Sequence, residues 1–271
     1  VADYGVSLDG RDPSSEVADG VVAEITAAGG TAVAVAGDVS KMEVGQQIID
    51  TAVDNWGSID GVVCVAGIVR ERMLFNMSEE EFDDVVAVHL KGHFTLYRAA
   101  SAVMRKQESG GSLVGFTSGA FVASTAQANY SAAKGGVVSL TRSAAFALRR
   151  YGINANCIAP TAMTRMSENV PFEIEAGAPE DIAPLAVYLL SDAARDITAQ
   201  TYTCTGSRIA VWNQPVEVRE MTANTDGVFT VDEIAERLPV SIGHEEMPMF
   251  ADLERRMKEM AEQKAAEEAS S

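Results

Sequence analysis

The chain has 271 residues, 47% hydrophobic and 22% charged, which is enough apolar material for one large domain or two small ones and excludes a collagen, a disulfide scaffold or a disordered tail. No stretch approaches the ~18 uninterrupted apolar residues of a membrane span, and no basic segment leads into an apolar core at the N-terminus. The 39 acidic against 21 basic residues leave a net charge of −18, which repels phosphate backbones and anionic lipid, so neither nucleic acid nor a membrane is an expected partner. Cys64, Cys157 and Cys204 lie far apart within apolar runs, as buried thiols of a reducing compartment do, and a soluble cytoplasmic protein is expected.

The opening residues Val1-Ala2-Asp3-Tyr4-Gly5 resemble the end of a strand running into a loop, and without an initiator Met the chain is expected to lack upstream residues. A helical stretch from Ser14 to Ala28, closed by Gly29-Gly30, is followed by an apolar, β-branched run from Thr31 to Val39. Met42 to Trp56 reads as helix, Gly61 to Ala66 as a short strand, Ser78 to Lys106 as one long amphipathic helix, and Ser112 to Thr117 as a strand. The alternation continues with a helix from Gln127 to Tyr151, a strand from Asn154 to Ala159, a helix from Pro179 to Ser191 and a last strand from Gln200 to Cys204. Short apolar strands separated by helices predict an α/β fold with a parallel sheet covered on both faces, because parallel strands need crossover connections. Residues 207–271 are richer in charge, with Met247-Pro248-Met249 before an Ala/Glu/Lys-rich helix; a domain over 1–206 with a partly helical extension is expected.

Tyr130 and Lys134 stand four apart near the start of a predicted helix, so their side chains share one face within about one 5.4 Å turn. An ammonium about 5 Å from a phenol favours the phenolate by about 3 kcal/mol at an effective dielectric near 20, which predicts a lowered Tyr130 pKa. Such a phenol can exchange a proton with a substrate oxygen, and the Ser118 hydroxyl, just past a predicted strand end, can hold the same oxygen.

A Tyr-x-x-x-Lys pair that follows a strand, a Ser and a polar loop, and precedes a strand ending in Ile158-Ala159-Pro160, resembles the short-chain dehydrogenase/reductase family over residues 1–206. The resemblance implies a Rossmann-type doubly wound parallel sheet, here lacking the first strand and helix of the fold. It implies Tyr130 as proton donor or acceptor, Lys134 as the residue that lowers its pKa and binds the nicotinamide ribose, and Ser118 as the residue that orients the substrate. Asp38 and Val39 resemble the adenine-contacting segment, Pro160 and Thr164 the segment that meets the nicotinamide carboxamide, and Ala66 and Gly67 a close approach of backbone to cofactor. Asp3 matches the acidic position that bonds the adenosine ribose, which favours NAD over NADP. The sequence is most similar to the branch of (3R)-hydroxyacyl-CoA and 17β-hydroxysteroid dehydrogenases, implying an alcohol or ketone substrate. A homo-oligomer, dimer or tetramer, packed through the two long helices is implied as well.

The sequence also departs from that family. No Gly-rich turn occurs anywhere in it, so the pyrophosphate lacks its usual cradle, and truncation is expected. Val65 stands in place of a bracing asparagine, Thr161 and Ala199 in place of glycines, and His89 in place of the asparagine that holds a proton-relay water; an imidazole offers a donor and an acceptor there. His89 and His93 have the spacing of two metal ligands on a helix, but with no third ligand nearby no metal is expected. Two alternatives stay open from the sequence: a catalytically silent subunit, and a scaffold whose acidic tail recruits a partner.

Overall fold

The computed structural model describes residues 1–7, 13–163, 177–223, 227–244, 247–250, 254–255, 257–259 and 262. Two compact units divide the chain, Val1–Trp212 and Asn213–Ser271. Among the described residues, no helix is long and apolar enough to cross a membrane.

The first unit alternates strands and helices. Its strands are β1 (Ala2–Asp3), β2 (Val35–Ala36), β3 (Gly61–Cys64), β4 (Gly111–Phe116), β5 (Ile153–Pro160), β6 (Thr201–Thr205) and β7 (Arg208–Val211). Its helices are α1 (Glu16–Ala27), α2 (Met42–Trp56), α3 (Glu79–Val86), α4 (Gly92–Met104), α5 (Ala128–Leu148) and α6 (Ala183–Leu190). Strands β3 to β6 lie side by side and parallel, and β7 closes the edge antiparallel to β6; β1 and β2 form a separate parallel pair. This is the expected α/β architecture, a Rossmann-type sheet interrupted between β1 and β3.

Alternating residues of the central strands face opposite layers. Leu113 and Ala155 pack with Leu96, Ala100 and Met104 of α4 and Ile49 of α2, whereas Val114 and Ile158 pack with Leu185 and Leu189 of α6. Leu113 and Ile158 are fully buried, each favouring the folded state by roughly 1.5–3 kcal/mol. The sheet is therefore apolar on both faces, as parallel sheets with crossover helices are.

Three elements differ from the sequence reading. The run from Thr31 to Val39 contributes only Val35–Ala36 as strand, because its one partner, β1, is itself two residues long. The long helix from Ser78 is in two pieces: Ser78 and Glu81 form a capping box at the start of α3, and Ala87–Lys91 then widen into a π-turn in which the Gly92 N–H reaches back to the Ala87 carbonyl. The sheet also extends beyond Cys204 and Gly206, since β7 carries the first unit to Trp212; the two-residue loop Gly206-Ser207, with Gly206 at φ +47°, turns the hairpin.

In the second unit, α7 (Val231–Arg237) is capped by Thr230, whose hydroxyl accepts from the Glu233 N–H, and Glu233 pairs with Arg237 one turn on. Arg219 donates to the carbonyls of Ile242 and His244.

Ala199, the alanine in a glycine position, adopts φ +61° and donates its N–H to the Ala155 carbonyl at 2.8 Å. A non-glycine residue in this left-handed region costs roughly 1 kcal/mol or more. Ala199→Gly is expected to stabilise the fold by about 0.5–1 kcal/mol, read as a higher urea midpoint with an unchanged slope. A lowered midpoint would show that the strain is relieved elsewhere.

Candidate active site

Parallel strands deliver their C-terminal ends to one side of the sheet, and four such ends carry the residues singled out in the sequence: Asp3 closing β1, Ala66 and Gly67 after β3, Ser118 after β4, and Pro160 closing β5. Two groupings result.

The first surrounds the C-terminal end of β4. Beyond Cys64, β3 no longer pairs with β4, so the backbone of Phe116 has lost its strand partner on that side. Two side chains replace it: the Phe116 N–H donates to His93 Nε2 at 3.2 Å, and the Lys134 ammonium donates to the Phe116 carbonyl at 2.6 Å. The next residue, Thr117, donates its hydroxyl to the Lys134 carbonyl at 2.9 Å, binding β4 to the first turns of α5. Ser118 then caps a short turn by accepting from the Ala120 N–H, and its hydroxyl is the hydrogen-bonding neighbour of Tyr130.

Tyr130 and Lys134 project from one face of α5, with the ammonium 5.4 Å from the centre of the phenol ring. The N-terminus of that helix is held by Asn129, fully buried, whose amide donates to the carbonyls of Arg70 and Glu81 while its oxygen accepts from the Tyr130 N–H. His89 stands in the π-turn, edge-on to Tyr130 with ring centres 5.0 Å apart. Its Nε2 lies against the Ile68 backbone, 2.8 Å from the carbonyl and 3.2 Å from the N–H, and its buried Nδ1 has no partner among the described residues. Ser118, Tyr130, Lys134 and His89 are thus brought together.

The protonation of this cluster is governed by burial. Tyr130 is pushed above the ordinary phenol range because desolvation outweighs the Ser118 hydrogen bond. This corrects the lowered pKa expected from the spacing alone: the ammonium lies under the ring and is directed at the Phe116 carbonyl, and burial weakens its own hold on the proton. Lys134, 3% exposed, has its pKa lowered from 10.5 to about 8 by desolvation, opposed by the neighbouring Cys157 and Cys64. His89 is held neutral by burial and by the Lys134 charge.

The second grouping lines a cavity of about 500 Å³ between β1 and β3, where Asp3, Val39, Ala66 and Gly67 meet. Asp3 accepts from the Gly5 N–H through Oδ1 at 2.6 Å, which sets the carboxylate at the end of β1. Asp38 is not among the residues lining this cavity; its Oδ1 accepts from the Ser40 N–H and its Oδ2 lies 3.9 Å from Lys41. At Gly67 the missing side chain has a structural reason too, since a Cβ there would stand 2.2 Å from His89 Cε1. Gly67 makes room for the imidazole as well as lining the cavity.

In kind, the residues suit the two ends of a nicotinamide dinucleotide: a carboxylate at a strand end beside a cavity, and a buried ammonium with a phenol and an imidazole beside it. Thr164 and the apolar segment around Met166, Val170, Pro171 and Phe172 lie outside the described residues. Asn129, Thr117 and His93 were missed as contributors; for Asn129 the available signal was an amide directly before the tyrosine.

The family described as enoyl-(acyl carrier protein) reductase matches residues 3–206. The hydroxyacyl-CoA dehydrogenase ChsB1 of Mycobacterium tuberculosis is 40% identical over 240 residues, which is 83% of this chain and 74% of that protein. The peroxisomal hydratase-dehydrogenase-epimerase of Saccharomyces cerevisiae is 42% identical over 197 residues, 72% of this chain and 22% of that much longer protein. A crystal structure of a short chain dehydrogenase from Mycobacterium avium matches with a TM-score of 0.80 at 41% identity, covering 92% of this chain and 87% of that one.

Because Lys134 binds its proton less tightly folded than unfolded, its charge opposes folding fully below about pH 8, and that penalty is relieved as pH rises from about 8 towards 10.5. Relative to Lys134→Met, the native chain is expected to gain about 3 kcal/mol over that window, measured by urea unfolding at a series of pH values. A stability difference that stays flat with pH would contradict the buried ammonium.

Proposed function

We propose that this chain, which belongs to the short-chain dehydrogenase/reductase family of oxidoreductases, moves a hydride between NAD(H) and a secondary alcohol or ketone of the hydroxyacyl-CoA class. The observation that carries this reading is the convergence of Ser118, Tyr130, Lys134 and His89 at the end of β4, with Asp3 and Gly67 at the neighbouring cavity. The relative named as a hydroxyacyl-CoA dehydrogenase favours that substrate class over other alcohols.

Bound here, NAD would supply the hydride acceptor for the alcohol, and in reduced form the donor for the ketone. Asp3 would hold the adenosine ribose and disfavour a 2′-phosphate by charge repulsion, with Val39 and the backbone at Ala66 and Gly67 beside it. Asp38 would serve through its loop, Pro160 and Thr164 would meet the carboxamide, and Lys134 would hold the nicotinamide ribose. Tyr130, protonated at neutral pH, donates its proton to the carbonyl oxygen in reduction; in oxidation it first gives that proton up to solvent and then, as phenolate, takes the proton of the hydroxyl. The Ser118 hydroxyl holds the same oxygen, and the Lys134 ammonium supports the phenolate that forms. His89 Nδ1, neutral and buried, accepts from a water that resupplies the proton.

The protein acts as a homo-oligomer in the cytoplasm. Phe94 on α4 and Phe146 on α5 are exposed at 45% and 91%, an apolar surface that a second copy would cover, and the three free, buried cysteines suit a reducing compartment. A second reading, a silent subunit that binds cofactor without turnover, is favoured by the departures from the family pattern at Val65 and His89.

Calorimetric titration with NAD and NADP, followed by turnover of 3-hydroxyacyl-CoA, tests both. NAD is expected to bind more tightly than NADP, and Tyr130→Phe is expected to lower turnover by roughly 10²- to 10⁴-fold with cofactor affinity nearly unchanged. Full activity in Tyr130→Phe would sink the assignment, and NAD binding without turnover would favour the silent subunit.

A further inference from the structure

His93 is 2% exposed and stands one turn after His89, where α4 begins. Its ring spans two backbone groups: Nδ1 lies 2.6 Å from the His89 carbonyl, and Nε2 accepts from the Phe116 N–H at 3.2 Å. A carbonyl only accepts and an N–H only donates, so these partners require the proton on Nδ1 and the lone pair on Nε2. The same residue, Phe116, offers its carbonyl to Lys134. In a strand the N–H and C=O of one residue point to the same side, so His93 and Lys134 grip the two ends of one backbone unit.

We infer that His93 is a positioning residue: as a neutral Nδ1–H imidazole it ties the end of β4 to the π-turn and thereby fixes the Phe116 carbonyl that holds the Lys134 ammonium beneath the Tyr130 ring. The surroundings leave His93 little freedom. Gly115, directly before Phe116, lacks the side chain whose Cβ would stand 3.2 Å from His93 Cδ2 and 2.7 Å from Tyr97 Oη. The Tyr97 ring meets His93 edge-on at 6.1 Å. Burial, together with the Lys134 charge, lowers the His93 pKa to about 3 against the pull of the His89 and Cys64 carbonyls, so the neutral ring persists through the working range. This placement accounts for a histidine that the sequence offers only as half of a possible metal pair.

The inference rests on the role proposed for Lys134, and its test separates the two. The chain has three histidines, so nitrogen NMR with labelled histidine resolves each ring, and carbon NMR with labelled lysine follows Lys134, assigned by its loss in Lys134→Met. The groups facing the amine are the Tyr130 ring, the Cys64 and Cys157 thiols and the imidazoles of His89 and His93. The expected results are an Nδ1–H tautomer for His93 and, in His93→Leu, a Lys134 pKa lower by about half a pH unit or more, as the ammonium loses a well-placed carbonyl. His93→Gln, whose side-chain oxygen can accept from the Phe116 N–H, restores the Lys134 titration. In turnover, His93→Leu loses kcat on the order of 10²-fold while KM stays within about twofold, as for a misplaced reacting group. An Nε2–H tautomer, or a folded His93→Leu with native Lys134 titration, overturns the inference; where His93→Leu fails to fold, the tautomer and the His93→Gln titration decide. If the native chain shows no turnover, the proposed function fails while the Lys134 titration still judges His93.

Discussion

The site depends on one constraint, that the backbone at the end of β4 must be satisfied after β3 stops pairing with it. A buried N–H or carbonyl without a partner costs about 1–3 kcal/mol, and Phe116 presents both. The chain answers with side chains from two helices. His93 takes the N–H and Lys134 takes the carbonyl, while Thr117 returns a hydrogen bond to the backbone of Lys134. Each answer has a structural condition of its own. The π-turn at Ala87–Lys91 sets His89 and His93 where both reach backbone, and Gly92 lets that helix come close to Val39, since a Cβ there would stand 2.8 Å from Val39 Cγ2. The nearby Thr95 hydroxyl donates to the Val39 carbonyl at 2.6 Å and fastens the same approach. Strand ends, helix irregularity and the Tyr130–Lys134 pair are thus parts of one hydrogen-bonded arrangement.

Burial and charge oppose each other at that arrangement. The low-dielectric surroundings that make the Lys134–carbonyl bond strong also lower the pKa of the amine and raise that of the phenol. The cluster therefore rests with Tyr130 protonated, His89 and His93 neutral and Lys134 carrying the local positive charge at neutral pH. Such a site is poised to give a proton to an oxygen that gains negative charge beside it, because the developing anion is what the buried ammonium lacks. Cys64 and Cys157, flanking Gly115 in register across three strands, stay as thiols, with Cys157 raised to about 11 and Cys64 higher still.

Much of the fold was legible because apolar runs bounded by Gly and Pro mark parallel strands, and the helices between them carry their own period. Met42–Trp56 has the expected bounds for that reason, with Gly57 in the left-handed region closing it. The π-turn was not legible: one extra residue inside an amphipathic helix leaves the apolar period nearly intact on either side. β7 was not legible although Gly206-Ser207 is a hairpin signal, because the composition turns to that of a charged extension at the same point. In the site, the Tyr130–Lys134 spacing placed the pair correctly and mispredicted the phenol, since spacing reports distance and direction along a helix and says nothing of desolvation. The sequence offers His89 for a water; in the structure Nε2 lies against the Ile68 backbone, and Nδ1 has no partner among the described residues. Gly67 was read for cofactor approach and proves to accommodate His89 as well.

The interrupted sheet divides the site by stability. The β4–β5 pair is six residues in register, buried and covered on both faces, whereas β1 and β2 share two paired residues. Local opening free energies follow such differences in burial and hydrogen bonding, so Asp3 stands on the weaker part and Tyr130 and Lys134 on the stronger. A ligand that touches both must order the weaker part when it binds, and that ordering cost is deducted from its affinity. The same linkage works in reverse, because any interaction that steadies β1 beside the cavity raises affinity without touching the reacting groups. The Asp3 carboxylate and the Tyr130–Lys134 pair accordingly stand on parts of the fold that differ in local stability.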